Sequence, residues 1–164
     1  MASTMTVRAA GPGDDIRVSA LIAEYAADYE YELGAQDVVG EGLKAREHYE
    51  AGALFVADVD GVVVGCVAYE PWGPNGSQDG SWTRMKRLYV LEEARGSGVG
   101  RALAEAVVNG ARDAGAKVMV LDTTQGMTEA RGLYASMGFA EWEPDYEAPC
   151  RDTVYMRMDL EASG

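Results

Sequence analysis

Apolar and polar positions along the chain change period at its turn residues. Met5–Ala9 is a short apolar run broken by Gly11-Pro12-Gly13, and reads as a first strand. Asp14-Asp15 supplies helix capping and first-turn negative charge, and from Ile16 the positions Val18, Leu21, Ile22, Tyr25 and Ala26 keep helical spacing. A second helical stretch is predicted over about Val38–Tyr49, ending near Gly52. Ala53–Val59 and Val62–Tyr69 are β-rich runs joined by Asp60-Gly61, a hairpin signal. Pro71–Gly80 is turn chemistry throughout, long enough to predict a functional or mobile loop.

Met85–Val90 reads as a further strand, followed by Arg95-Gly96-Ser97-Gly98-Val99-Gly100. Val99, Ala102, Leu103, Ala106, Val107, Gly110 and Ala111 mark one face of a long helix, with Arg101, Glu105, Asn109 and Arg112 on the other. Lys117–Leu121 is a short buried strand ending at Asp122. Met127, Ala130, Leu133, Tyr134 and Met137 define another helix, stopped by Gly138. Thr153–Leu160 alternates Val154, Met156, Met158 and Leu160 against Tyr155, Arg157 and Asp159. The expected fold is α+β in α/β/α layers: one mixed, mostly antiparallel sheet with helices on both faces. Residues 5–161 are expected to form one domain, with 1–4 and 162–164 as flexible ends.

Composition narrows the function. The 164 residues carry 27 acids against 14 Lys and Arg, a formal charge of −13, which disfavours a general affinity for nucleic acid. One histidine, His48, and two cysteines, Cys66 and Cys150, cannot assemble the usual zinc site, so no metal is expected. His48 reads as an ordinary helix residue and the cysteines as reduced, buried thiols. Met1–Gly11 has no signal-peptide pattern and no run approaches a membrane span, so a cytoplasmic protein is expected.

The chemistry concentrates at Arg95–Gly100. Consecutive backbone N–H groups at a helix N-terminus, with no side chains in the way, form an anion site. Arg84, Lys86, Arg87, Arg95 and Arg101 place five of the fourteen cations within eighteen residues, which predicts positive charge around a pyrophosphate. A dinucleotide fingerprint would need glycine where Arg101 stands, and a Walker A loop would need a Gly-Lys-Ser/Thr sequence that is missing. On these residues alone a glycine-rich helix start that binds nothing stays open.

The segment resembles the acetyl-CoA motif of the GCN5-related N-acetyltransferases: Arg or Gln, two residues, Gly, one residue, Gly or Ala. Arg95–Gly100 meets every position. Met85–Val90 looks like the family's fourth strand, and Leu133-Tyr134-Ala135-Ser136-Met137-Gly138-Phe139 like its later leucine-tyrosine … glycine-phenylalanine segment. The resemblance implies acetyl-CoA as the donor, with Leu88, Tyr89 and Val90 along the pantetheine. Arg95, Gly96, Ser97, Gly98, Val99, Gly100 and Arg101 would surround the pyrophosphate. Tyr134 would protonate the leaving thiolate; without the motif it would read as a core tyrosine.

Relatives often place a glutamate on the fourth strand, but Arg84–Val90 contains no carboxylate. Glu70, ending the preceding strand, is the substitute expected as base, against a solvated strand end or proton removal through water. Residues 1–50 hold ten acids against four bases, and Tyr25, Tyr29 and Tyr31 alternate with Asp28, Glu30 and Glu32. These tyrosines, with Trp72, are expected to wall a site for a small cationic amine, against a solvated acidic face as the alternative. The expected activity is transfer of acetyl from acetyl-CoA to a primary amine by direct attack. The same fold also admits aminoacyl-tRNA-dependent transfer, CoA-thioester decarboxylation or a non-catalytic acyl-CoA sensor, and leaves a homodimer open.

Overall fold

A computed structural model describes residues 4–33, 42–74, 77–144 and 153–160, without the side chains of 28–33 and 43. In chain order the elements are β1 (Met5–Ala9), α1 (Asp15–Leu33), α2 (Ala45–His48), β2 (Ala53–Val59), β3 (Val62–Pro71) and β4 (Trp82–Val90). They continue as α3 (Val99–Asp113), β5 (Val118–Thr124), α4 (Thr128–Met137), β6 (Ala140–Glu141) and β7 (Thr153–Asp159). The sheet has the order β1-β2-β3-β4-β5-β7-β6, and only β4 and β5 run parallel. The mixed, mostly antiparallel sheet expected from periodicity is thus observed.

Alternation along the strands divides the core in two. Val67, Tyr69, Met85, Met119, Leu121 and Met156 face α3 and α4, packing with Val99, Leu103, Val107, Ala111, Tyr134 and Phe139. Leu54, Val56, Cys66, Ala68 and Tyr89 face the other way, against Val18, Leu21 and Ile22 of α1 and Ala45 and Tyr49 around α2. The β2–β3 connection turns at Asp60 and Gly61, both at positive φ (52° and 89°), as a two-residue hairpin with right-handed twist requires. Asp14 lies in a 3-10 turn ahead of α1, where its carboxylate accepts from the Gly11 N–H at 2.8 Å and from Arg8 at 2.7 Å. The Arg8 hydrogen bond holds that carboxyl below the usual carboxylate range.

Four boundaries differ from expectation. The helix expected over Val38–Tyr49 is described only from a 3-10 turn, Gly42–Lys44, followed by the four residues of α2; residues 34–41 lie outside the described residues. β4 starts at Trp82, because Trp82, Thr83 and Arg84 pair with Val118, Met119 and Val120 of β5. Pro71, assigned to the loop, is the last residue of β3, opposite Thr83. β5 likewise runs on to Thr124 because β7 pairs with it along its whole length. Cys66 is buried, and Cys150 lies outside the described residues. Among the described residues no helix is long and apolar enough to cross a membrane.

Candidate active site

After Arg84–Val120, β4 and β5 part, and from Met85 to Val90 the β5-side edge of β4 has no strand partner among the described residues. The divergence follows from a bulge. Cys66 lies opposite Tyr89 whereas Ala68 lies opposite Lys86, so β4 carries one extra residue there. Arg87, at the bulge, has φ +60°, a left-handed conformation that a residue with a β-carbon holds only at a cost. Packing fixes it. Arg87 is 8% exposed, its guanidinium stands 5.6 Å from the centre of the Tyr25 ring, and its carbonyl accepts the Cys66 thiol at 3.5 Å.

The widening gap is a cleft of about 700 Å³. Leu88, Tyr89 and Val90 line it from β4, with Arg95, Gly96, Gly98, Gly100 and Arg101 from the loop and α3. Leu133 and Tyr134 of α4 form the facing wall. Leu88–Val90 and Leu133–Tyr134, 43 or more apart in sequence, thus meet, and the two motifs singled out from sequence share one cavity. Ser97 and Val99 are placed otherwise: the Ser97 hydroxyl donates to the Ala94 carbonyl at 2.6 Å, and Val99 is buried under α3. Sequence reasoning missed Gly126 and Met127 of the β5–α4 connection and Thr128 and Glu129 of the first turn of α4, which also line the cleft. Gly126 was their sole local signal, a turn without distinctive chemistry.

Gly98 caps α3 from the left-handed region, φ +87°, and Gly96 has φ +84°. A Cβ built on either meets no atom within 4 Å, so backbone conformation requires glycine there while the space beside it stays open. The first-turn N–H groups of α3 have no intrahelical acceptors and carry the positive end of the helix dipole. No acid stands in that first turn. Arg95 is anchored alongside, its Nε donating to the Val90 carbonyl at 2.8 Å and its guanidinium 5.4 Å from the Tyr89 ring centre. Arg101 reaches Ser136 Oγ at 2.5 Å and Glu105 at 3.8 Å. An open, cationic turn of this kind fits the pyrophosphate of a coenzyme A ester.

The five-cation cluster does not stay together. Arg95 and Arg101 line the cleft, but Arg84 and Lys86 point to the α1 side of the sheet, where Arg87 packs on Tyr25. Strand alternation, with Met85 in the α3 core between Arg84 and Lys86, sends them there, and the bulge adds Arg87.

Tyr134 is 7% exposed, its ring edge-on to Phe139 at 5.8 Å, on a helix closed by Gly138 at φ +112°. Glu70 is on the α1 side and does not line the cleft; it accepts from Arg84 at 2.8 Å, with Lys86 at 3.9 Å. Trp72 lies beneath the Arg84 guanidinium, 5.4 Å from ring centre to carbon. Tyr25 meets Tyr89 edge-on at 6.1 Å. The side chains of Tyr29 and Tyr31 lie outside the described residues. His48 is exposed at the end of α2, against the Tyr49 ring.

A sequence profile described as the acetyltransferase (GNAT) family matches residues 18–139. An uncharacterized N-acetyltransferase of Schizosaccharomyces pombe is 35% identical over 150 residues, covering 90% of this chain and 88% of its own. Aminoglycoside N(6')-acetyltransferase type 1 of Stenotrophomonas maltophilia is 30% identical over 165 residues, 99% of each chain. Among solved structures, yncA of Salmonella typhimurium, determined with its cofactor acetyl-CoA, has a TM-score of 0.76 at 23% identity, over 97% of this chain and 95% of that one.

Proposed function

The chain belongs to the acetyltransferase (GNAT) family and is an N-acetyltransferase with acetyl-CoA as donor; we propose that it acetylates the primary amine of a small cationic molecule by direct attack. The observation that carries this reading is the cleft where β4 leaves β5, with the glycine turn of α3 on one side and Tyr134 on the other. Acetyl-CoA supplies an activated acetyl thioester. The N–H groups of Val99, Gly100 and Arg101, with the Arg101 charge, hold the pyrophosphate, and the open edge of β4 from Leu88 to Val90 holds the pantetheine arm.

Tyr134 Oη donates a proton toward the departing sulfur. A thiol pKa near 8.5 makes this assistance useful rather than obligatory, worth about 10² in rate. On the acceptor side, a lysine-like amine with pKa near 10.4 is neutral in on the order of one molecule in a thousand at pH 7, so the site must remove a proton. Glu70 is the carboxylate assigned to that task, on the α1 side beside the last β4–β5 rung. Tyr25, Tyr29, Tyr31 and Trp72 are assigned to the acceptor wall, where ring faces attract a cation. The acidic balance of residues 1–50 supports this, as does the Stenotrophomonas relative, named for aminoglycosides, whose amines are cationic at neutral pH.

The test is an amine panel with acetyl-CoA, read by thiol release. Primary amines should be consumed with one equivalent of thiol each. Glu70→Gln should lower kcat by roughly 10- to 100-fold with acetyl-CoA affinity unchanged. An unchanged kcat, with chemistry limiting, removes Glu70 from the proton path.

A further inference from the structure

A primary ammonium nitrogen carries three protons and the amide it becomes carries one, so two protons leave it. Glu70 is assigned the first, taken before attack. The second leaves as the C–N bond forms and positive charge develops on the nitrogen. A carboxylate beside the nitrogen stabilises that charge and takes the proton. The two sides of the sheet fix where such a group must stand. The glycine turn and Tyr134 lie on the α3 and α4 side, so an amine arriving from the α1 side meets the thioester between the diverging strands.

The segments bordering this gap are Met85–Val90 of β4 and Leu121–Thr124 of β5, and Asp122 is the one acid in either. Arg84 and Val120 form the last rung, and Asp122 stands two residues beyond it. Alternation turns its side chain to the α1 side. Met119 and Leu121 pack in the α3 core, and the Thr123 hydroxyl donates to the Met127 sulfur at 3.3 Å, beside α4. β7 agrees: Tyr155, the register partner of Asp122, stands between Val154 and Met156, which also pack toward that core. The carboxylate is therefore at the α1-side rim of the gap.

Its surroundings leave it available. Asp122 is half-buried, and among the described residues it has no hydrogen-bond or ion-pair partner. Its oxygens are open to a ligand, since among the described residues the buried side-chain atoms without a partner are Arg84 Nε and Trp142 Nε1. Neighbouring charges on this face are engaged elsewhere. Glu70 holds Arg84 at 2.8 Å and Lys86 at 3.9 Å, and Asp159 holds Arg157 at 3.0 Å. Arg157 also lies against the rings of Trp82 and Trp142, 4.9 and 5.4 Å from their centres. Asp159 stands opposite Val118, where β5 is still paired with β4, away from the gap.

We infer that the Asp122 carboxylate accepts a hydrogen bond from the acceptor nitrogen and takes its second proton during transfer. The nitrogen lone pair forms the C–N bond while the carbonyl pair moves onto oxygen. That pair returns as the C–S bond breaks, the departing sulfur takes the Tyr134 proton, and the nitrogen proton passes to Asp122. A proton then returns from Asp122 to Tyr134 through water, restoring both. The inference rests on the amine-acceptor reading and deepens it by naming the group that meets the nitrogen.

The experiment follows thiol release from acetyl-CoA with 1,4-diaminobutane, spermidine, kanamycin and tyramine as probe amines, in steady state and in a single turnover. Asp122→Asn keeps the size and the hydrogen-bond acceptor but removes the charge and the basicity. With the best probe it should lower the single-turnover rate by about 10²-fold or more, and kcat/KM with it. The KM for the amine should stay within about threefold, the pattern of an interaction made only in the transition state. The rise in Tm with acetyl-CoA should be unchanged. Asp122→Glu restores a carboxylate and should recover about tenfold or more of the loss. Asp159→Asn, on the same face at the paired end of β5, should react within about twofold of the parent. Should Asp122→Asn lose its melting transition, Asp122→Ser carries the comparison. A parent-like single-turnover rate in Asp122→Asn, a Glu variant no faster than the Asn variant, or loss of the acetyl-CoA shift overturns the inference. The amine reading is judged separately, by the parent protein. Thiol released with a probe amine but unaffected at Asp122 refutes Asp122 and leaves the amine acceptor standing, whereas no thiol with any of the probes refutes the amine acceptor and Asp122 with it.

Discussion

Gly98 separates the two roles of the loop, because substitutions there divide the cost of the backbone from the cost to the ligand. The residue sits at φ +87°, and a Cβ placed on it meets nothing within 4 Å. Gly98→Ala therefore suffers left-handed strain alone, about 1–2 kcal/mol. For a domain of this size that is a fall in Tm of roughly 2–8 °C. Asn tolerates the left-handed region far better, so Gly98→Asn should recover most of that loss. Its side chain nonetheless projects into the open space at the start of α3. Acetyl-CoA at a hundred times its Kd should raise the parent Tm by about 5–11 °C, from some 2.7 kcal/mol of mass-action stabilisation. A tenfold loss of affinity removes about 1.4 kcal/mol of this, or about 3–6 °C. Differential scanning fluorimetry with and without acetyl-CoA measures both quantities. Gly115, also left-handed at φ +94° with open space around it, lies past the far end of α3 and is the control. Gly115→Asn should keep the whole acetyl-CoA shift, while Gly98→Asn loses about half of it or more. A full shift in Gly98→Asn would mean that the phosphates do not approach this turn, and the assignment of the cleft would fail.

Other consequences are as direct. Tyr134→Phe should lower kcat by about 10²-fold, with the KM for acetyl-CoA nearly unchanged, as single-turnover kinetics can measure. Because the Arg8 hydrogen bond lowers the Asp14 pKa in the fold, the ionised carboxylate stabilises the protein above its unfolded pKa near 3.9, and the benefit fades as pH falls through the lower folded value. Asp14→Asn should cost roughly 1.5–3 kcal/mol at pH 7 and flatten the acid limb of a urea-stability profile. Gly52→Ala would put a Cβ 2.0 Å from the Tyr69 carbonyl oxygen and should unfold the protein or shift β2 against β3. Gly132→Ala, in α4 with nothing within 4 Å, should stabilise by up to about 1 kcal/mol on thermal melting.

What the amino-acid sequence determined by itself was local. The Asp60-Gly61 turn, the period-2 runs on either side of it, the glycine pair before α3 and the Gly138 stop of α4 are written in residues a few positions apart. Each is a demand on dihedral angle or an alternation of solvent and core that needs no distant partner. The amphipathic stripe of α3 was legible for the same reason: Leu103, Val107 and Ala111 are fully buried, as their spacing requires. The resemblance over Arg95–Gly100 and Leu133–Phe139 identified both walls of the cleft because each motif is a contiguous run. Only the tertiary structure decided where those walls meet and which way the strands turn their charges. Trp82–Arg84 belong to β4 because β5 pairs with them, and β5 reaches Thr124 because β7 pairs with it. Five cations close in sequence were separated: Arg84 and Lys86 point to the α1 side of the sheet and Arg87 packs on Tyr25, whereas Arg95 and Arg101 line the cleft. A strand residue's direction is set by its register with its neighbours and by any extra residue on the way, and the slip between Cys66 and Ala68 that turns Arg87 toward Tyr25 comes from pairing with another strand. Glu70 found Arg84, and Arg157 found Trp82 and Trp142, through the same long-range ladder, whose partners no local run of residues names.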